Sequence, residues 1–283
     1  MLDTLHSQTL KSCLADLRKN FDLSLRHSCE LAAFVLGFAA LDTPFRLDDK
    51  ISSKDSLRLA SLAARICSGE PLAYVLGYVD FYGSKILVDS RVLIPRVETE
   101  FLVEQILKKY PAHLPLKVLD LCTGSGCIGL ALKKQRPHWS VSLSDISFDA
   151  LALAQTNAQL NGLEVEFFQG DLFEPFQTTN SFFDLIVSNP PYIKEEEYLE
   201  LESSVIDYEP KLALSAGVTG LEIYKKIAEQ AFLFLKPGGG MAFEIGYNQK
   251  EAVKELFSNG FYKNIICEKD LAFHDRFIFL ELQ

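Results

Sequence analysis

The chain has 283 residues and is 48% hydrophobic, enough apolar material for one large core or two modest ones and too much for a disordered polymer. Its formal net charge is −10, from 28 basic and 38 acidic residues, and the sequence pI is about 5.1. Residues 1–70 are balanced, with nine basic and nine acidic side chains, so the acid excess lies in 71–283 and weighs against bulk DNA or RNA as a partner.

The six cysteines (Cys13, Cys29, Cys67, Cys122, Cys127 and Cys267) are scattered. None sits at a CxxC or Cys/His spacing that suits zinc, so reduced thiols are expected rather than a disulfide framework or a metal site. The opening residues lack a charged segment followed by an apolar run, and no stretch reaches the ~20 apolar residues needed to cross a bilayer. The expectation is a soluble, cytoplasmic protein.

Residues 1–70 read as helical. Leu2, Leu5, Leu10, Leu14 and Leu17 recur near helical spacing, and a second helix is expected over 27–37. A third begins near Ser52, with Asp55 three residues on as a capping pair. It carries Leu57, Leu59, Leu62, Ala63 and Ile66, and stops at Gly69 and Pro71. From 72 to 95 the composition turns aromatic and β-branched around Gly83-Ser84: Tyr74, Val75, Leu76, Tyr78, Val79, Phe81 and Tyr82, then Ile86, Leu87 and Val88, then Val92, Leu93 and Ile94. Hairpin strands are predicted there. Residues 98–110 predict an amphipathic helix with acids first and lysines last. Strands are then predicted at 117–121, 140–145, 164–168, 183–188, 240–245, 262–267 and 276–281, with helices near 126–136, 148–160, 219–235 and 248–258. Such alternation implies an α/β fold, a mainly parallel sheet covered on both faces, with ligands bound outside the carboxyl ends of the strands.

The segment Val118-Leu-Asp-Leu-Cys-Thr-Gly-Ser-Gly126 runs a buried strand into a glycine-rich turn and a helix. Gly124 and Gly126 let the backbone come close to a ligand. The third glycine of a dinucleotide fingerprint is absent from its usual place, and there is no GK[ST]. Asp145, roughly twenty residues beyond the glycines, ends the second strand, where an acid can take two ribose hydroxyls. Asp171 follows the third strand, where it suits an adenine edge. In series these features favour a nucleoside-bearing cofactor held without a phosphate grip, and S-adenosyl-L-methionine fits.

Phe183-Asp-Leu-Ile-Val-Ser-Asn-Pro-Pro-Tyr192 is the most specific feature. Two prolines alone would make a rigid turn that stops the strand. The chemical reading is that a planar NH₂ shares its lone pair with a π system and is a poor nucleophile. The Asn189 side-chain oxygen can accept one of its N–H groups and the Pro190 carbonyl the other, which turns the lone pair toward a methyl donor. Tyr192 offers a flat face for stacking. Proximity and orientation are then the main demands on the protein.

With both motifs in hand, the chain resembles the PrmC/HemK family of release factor glutamine N5-methyltransferases. The resemblance covers nearly the whole length. It rests on Gly69-Glu-Pro-Leu-Ala-Tyr-Val-Leu-Gly77, Leu93-Ile-Pro-Arg-Val-Glu-Thr-Glu100, Leu119-Asp-Leu-Cys-Thr-Gly-Ser-Gly126, Asn189-Pro-Pro-Tyr192, Tyr208-Glu-Pro210 and Glu244-Ile-Gly246. It implies a helical, release-factor-binding domain over 1–71, a β-hairpin linker over 72–97, and a Rossmann-like seven-stranded methyltransferase domain over 98–283. The implied cofactor contacts are Cys122, Thr123, Gly124, Ser125, Gly126, Asp145, Asp171, Leu172 and Asn189. Asn189, Pro190, Pro191 and Tyr192 would hold the glutamine of a Gly-Gly-Gln motif in class-1 peptide chain release factors, with Asn189, Pro190 and Tyr192 catalytic. A monomer without membrane or direct nucleic-acid contact is expected. Val97 departs from the family's second proline, Cys122 from a glycine, and Leu172 from an aromatic. The Asp270–Arg276 segment lacks the glycine often seen after its alanine.

Asn-Pro-Pro-Tyr also serves adenine N6 and guanine N2 methylation, the competing enzymatic reading, but such enzymes must bind backbone and reach a stacked base, and no basic domain is evident. A non-catalytic protein retaining the fold is a further alternative, against which Asp145, Asn189 and Tyr192 speak. The five histidines (His6, His27, His113, His138, His274) have no partner at triad or metal spacing, and Trp139 reads as packing. Glu98 and Glu100 suit either helix N-terminal acids or the site, and Glu244 either the site or a buried hydrogen-bonded acid.

Overall fold

A computed structural model describes residues 8–178 and 182–283. The described chain divides into two compact units, one of residues 8–77 with Ser203–Tyr208 and the other of Tyr78–Glu202 with Glu209–Gln283.

The first unit is helical. Helices Leu10–Phe21, Leu25–Leu36 and Ser53–Cys67 each begin on a hydroxyl cap: Thr9, Ser24 and Ser52 accept an N–H from the third residue on. Ser52 also donates to Asp55 Oδ2 at 2.6 Å, so the predicted capping pair forms. Leu10, Leu14, Leu17, Leu31, Leu59 and Ala63 close a core, each buried leucine contributing ~2 kcal/mol. Leu2 and Leu5 lie outside the described residues. A two-residue pairing of β1 (Gln8–Thr9) with β2 (Lys50–Ile51) ties the start of the first helix to the start of the third.

Residues 72–76 differ from the expectation. They form a short helix, Leu72–Leu76, set between Pro71 and Gly77, and Val75 packs into the helical core. The hairpin begins only at Tyr78, pairing β3 (Tyr78–Phe81) with β4 (Ser84–Leu87). Val92–Ile94, read as strand, stays irregular because the Ile94 N–H goes to the carboxylate of Glu209 at 3.0 Å and not to a neighbouring strand.

The second unit is built on seven strands: β5 (Lys117–Leu121), β6 (Ser140–Asp145), β7 (Glu166–Gln169), β8 (Phe183–Ser188), β9 (Leu235–Glu244), β10 (Tyr262–Lys269) and β11 (Asp275–Leu282). Their order is β10-β11-β9-β8-β5-β6-β7, parallel throughout except for β11, which runs antiparallel to both neighbours. Val118, Leu119, Leu121, Leu185, Ile186 and Val187 are fully or almost fully buried, as expected for central strands covered on both faces. The order reverses between β5 and β8, the switch point at which such sheets open a crevice. The hairpin docks on this unit through the buried side chain of Asn157. That amide accepts the Leu87 N–H at 2.7 Å and donates to Leu87 O at 3.0 Å and Ser125 O at 2.9 Å.

Candidate active site

A cavity of about 340 Å³ opens at the carboxyl ends of β5, β6, β7 and β8. Its walls bring together Cys122, Thr123, Gly124 and Ser125 after β5, Asp145 at the end of β6, Asp171 and Leu172 after β7, and Asn189 and Pro191 after β8.

The turn after β5 is fixed from below. Thr123 donates its hydroxyl to Asp120 Oδ2 at 2.6 Å and its N–H to Ser144 O at 3.0 Å, and the Gly126 N–H goes to Thr123 O at 2.9 Å. Asp120 is fully buried and also accepts the Gly129 N–H at 2.9 Å. Burial pushes its carboxyl up to about 7, against the pull of those two bonds. Cys122 adopts φ 58° and Leu172 φ 52°, left-handed values that most side chains avoid and glycine adopts freely. Burial, then the nearby Asp145, pushes the Cys122 thiol well above its ordinary range.

The two glycines of the turn do different things. A Cβ on Gly124 meets no atom within 4 Å, leaving backbone bare toward the cavity. A Cβ on Gly126 would stand 3.2 Å from both Ala154 and Leu130, and this residue does not line the cavity. At Gly126 it is therefore the packing of the following helix against Ala154 and Leu130 that leaves no room for a side chain.

Asp145 accepts the Gly124 N–H on Oδ2 at 2.8 Å and the Ser147 N–H on Oδ1 at 2.9 Å. Each oxygen keeps lone-pair capacity for a further donor. Burial raises its pKa, while these N–H groups pull it down. Asp171 stands at the rim, paired with Lys226 at 2.8 Å in an exposed bridge. This set fits an adenosine-bearing cofactor: a bare glycine backbone, a carboxylate with spare acceptor capacity beside it, and an apolar wall from Leu172, Ile146 and Ile223.

The far wall is held by a contact that sequence reasoning missed. Glu209, 4% exposed, accepts the Ile94 N–H on one oxygen and the Arg96 guanidinium on the other at 2.6 Å. This joins the Ile-Pro-Arg and Tyr-Glu-Pro segments, and Pro95, Arg96 and Pro210 all line the cavity. Of the acids on the helix Val97–Lys109, Glu98 is exposed and Glu100 accepts the Tyr82 N–H at 2.8 Å. Thr99 between them is the buried one and faces the cavity.

Within Asn-Pro-Pro-Tyr, the amide of Asn189 donates from Nδ2 to Thr99 Oγ1 at 3.3 Å. Pro190 is buried. Tyr192 packs against the core cluster that includes Tyr224 and Phe243, its side chain away from the cavity lining, and its carbonyl accepts from Gln249 Nε2 at 2.9 Å. Glu244, 2% exposed, accepts the Thr99 hydroxyl on Oε2 at 2.7 Å, and burial raises its pKa to about 7. Among the described residues no group of acids, cysteines and histidines is arranged to hold a metal ion, and no helix is long and apolar enough to cross a membrane.

A Rossmann-like sheet with this turn, strand-end acid and Asn-Pro-Pro-Tyr corner defines an S-adenosylmethionine-dependent methyltransferase. A sequence profile described as methyltransferase small domain matches residues 97–211, and one described as PrmC N-terminal domain matches 8–77. The chain is 45% identical to the release factor glutamine methyltransferase of Lactococcus lactis, covering 81% of this chain and 84% of that one. It is 43% identical to the enzyme of the same name from Chlamydia trachomatis, covering 83% of each. The chain belongs to the release factor glutamine methyltransferase family. A methyltransferase from Pyrococcus furiosus shares the fold, with a TM-score of 0.54 at 21% identity over 79% of this chain and 98% of that one.

Proposed function

We propose that the protein methylates the side-chain amide nitrogen (N5) of the glutamine in the Gly-Gly-Gln motif of class-1 peptide chain release factors, with S-adenosyl-L-methionine as donor. The observation that carries this reading is the placement of Asn189: its amide lines the cavity beside the Cys122–Ser125 turn, and its nitrogen is engaged by Thr99. The oxygen is thereby the atom left to receive a substrate N–H.

When bound, the donor supplies a methyl group already activated on a sulfonium. The chain's own part is to hold and orient. The bare backbone at Gly124 and the Asp145 carboxylate would hold the nucleoside, and Leu172 would supply apolar surface in the same cavity. Asn189 Oδ1 and the Pro190 carbonyl take the two N–H bonds of the glutamine amide, so that the nitrogen lone pair is directed at the methyl carbon. Pro190 and Pro191 fix the backbone there. Tyr192 anchors this corner from the core side. No side chain needs to remove a proton before transfer: the C–N bond forms as the methyl–sulfur bond breaks, S-adenosylhomocysteine leaves, and the methylated nitrogen then loses one of its two protons to water. The helical unit, residues 8–77 with 203–208, is assigned to grip the release factor, and the location that follows from such a substrate is the cytoplasm.

The test is methyl transfer from labelled S-adenosylmethionine to a class-1 release factor, its Gln→Ala variant at Gly-Gly-Gln, DNA and rRNA in parallel. Label on the factor that vanishes in the variant supports the reading. Label on nucleic acid alone refutes it in favour of exocyclic-amine methylation.

A further inference from the structure

We propose that Thr99 and Glu244 form a directional relay that sets which way the Asn189 carboxamide faces, and that protonation of Glu244 reverses it. This rests on the amide-methylation reading above. Thr99 and Glu244 act here as positioning residues.

The two ends of a carboxamide have nearly the same shape, so packing alone does not choose between them. The chemistry does require a choice. With oxygen toward the cavity, Asn189 accepts a substrate N–H; with NH₂ toward the cavity, it offers a second donor to a group that is itself a donor. What selects the orientation is the partner on the other end, Thr99 Oγ1, 3.3 Å from Asn189 Nδ2. A hydroxyl has one proton to give. Thr99 lies 2.7 Å from Glu244 Oε2, and a carboxylate can only accept. The Thr99 proton therefore goes to Glu244, the Thr99 oxygen is left as an acceptor, and only the NH₂ end of Asn189 satisfies it. A carboxylic acid at Glu244 can instead donate to Thr99. Thr99 can then donate to the Asn189 oxygen, and the amide turns its NH₂ to the cavity.

Both relay residues are 2% exposed, so water does not readily substitute for either partner. The charged and titratable groups around Glu244 come from several elements: Arg96 and Glu98 at the start of the helix Val97–Lys109, Arg276 on β11, Tyr192 in the corner after β8, Tyr224 on the helix Glu222–Gln230, and Cys127. Burial outweighs the two arginines and the Thr99 bond and brings Glu244 to about 7. The reversal therefore falls in the range where an enzyme works. The relay also gives a physical role to two segments lying far in sequence from Asn-Pro-Pro-Tyr: Glu-Thr-Glu at 98–100 and Glu-Ile-Gly at 244–246.

The experiment compares wild type with Thr99→Val, which keeps shape and loses the hydroxyl, and Thr99→Ser, which keeps the hydroxyl. Each is assayed for kcat and KM on the release factor from pH 6 to 8.5, for affinity to S-adenosylhomocysteine, and for Tm. Wild-type kcat should rise through a pH near 7. Thr99→Val should lower kcat by roughly tenfold to a hundredfold, as misorientation does. It should also lose the pH limb while leaving S-adenosylhomocysteine affinity and KM nearly unchanged, and Thr99→Ser should recover most of the rate. Thr99→Val with wild-type kcat, a pH limb that persists in Thr99→Val, or equal losses in both variants would overturn the relay. If wild type labels no release factor, the substrate reading fails, and the relay is read separately. The Asn189 side-chain amide resonances, identified by their loss in Asn189→Ala, should shift with pH near 7 in wild type and not in Thr99→Val. Resonances that titrate alike in both sink the relay.

Discussion

The backbone N–H of Gly124 donates to Asp145 Oδ2 at 2.8 Å, linking the turn after β5 to the end of β6. One carboxylate thus shapes the glycine turn and faces the cavity the turn lines. Its other oxygen holds the Ser147 N–H, at the cap of the helix Phe148–Leu160. The carboxylate that faces the cavity is thus also the one that sets the loop, so a change at either Gly124 or Asp145 alters the turn as well as the cavity wall.

Asp145→Ala should weaken S-adenosylhomocysteine binding by roughly tenfold to a hundredfold, because hydrogen bonds to a charged group are worth about 1.5–3 kcal/mol. It should also lower stability by ~1 kcal/mol or more, since two N–H groups lose their acceptor. Calorimetric titration and chemical denaturation measure the two effects. An unchanged affinity would remove Asp145 from the cofactor site.

Gly124→Ala and Gly126→Ala should fail in opposite ways. Both residues have positive φ, 54° and 83°, so each substitution carries a backbone cost of ~1 kcal/mol. At Gly124 the added methyl meets only open cavity, so the main loss should be in cofactor affinity. At Gly126 it presses on Ala154 and Leu130, so the main loss should be in stability, a further ~1–3 kcal/mol from overpacking. Tm and affinity measured on both variants decide. Equal effects on both readouts would contradict the division.

Chemistry carried by contiguous residues is legible in the sequence. The strand, turn and helix around 118–136 and the Asn-Pro-Pro-Tyr corner each lie within one short segment, and β5, β6 and β8 occupy their expected spans. What the sequence hides depends on distant approach. Thr99 and Glu244 are 145 positions apart, and Glu209 meets Ile94 across 115. The charged neighbours Glu98 and Glu100 draw attention by residue type, while helix phase buries the threonine between them. Tyr74 and Val75 read as strand by residue type, yet Pro71 and Gly77 bracket a helical turn whose burial outweighs propensity.

Cys122 should be both conformationally strained and chemically quiet. Its positive φ costs ~1–2 kcal/mol, which Cys122→Gly relieves while giving up side-chain burial, so the net change should be within ~1 kcal/mol. Cys122→Val should destabilise by more, because a branched side chain tolerates this backbone poorly. Cys122 is half-buried in the cavity wall, but desolvation and the nearby Asp145 keep its thiol protonated, so an alkylating reagent should modify exposed Cys67 in the native protein well before Cys122. Rapid native labelling at Cys122 would show that the turn opens readily.

The buried Asp120 should leave a signature in the pH dependence of stability. Its folded-state pKa is pushed up to about 7 from an ordinary value of 3.8, by burial first. Oδ2 has Thr123 and Gly129 as partners, while Oδ1 has none among the described residues, so ionisation there is poorly solvated. Between those two pH values the folded state holds the proton that the unfolded state has released, and stability falls as pH rises. The contribution is complete below about pH 4 and gone above about pH 7. Asp120→Asn keeps an acceptor for the turn and cannot ionise. Its stability relative to wild type should therefore rise from pH 4 to pH 7, by at least ~1 kcal/mol given about 1.4 kcal/mol per pKa unit. Glu244, raised by the same cause, and the depressed acids Asp89 and Asp270 cancel in this difference. Denaturation of both proteins at several pH values reads it directly. A difference that is flat across the window, or that falls, would mean Asp120 is ionised in the folded protein and the turn is held by a buried charge.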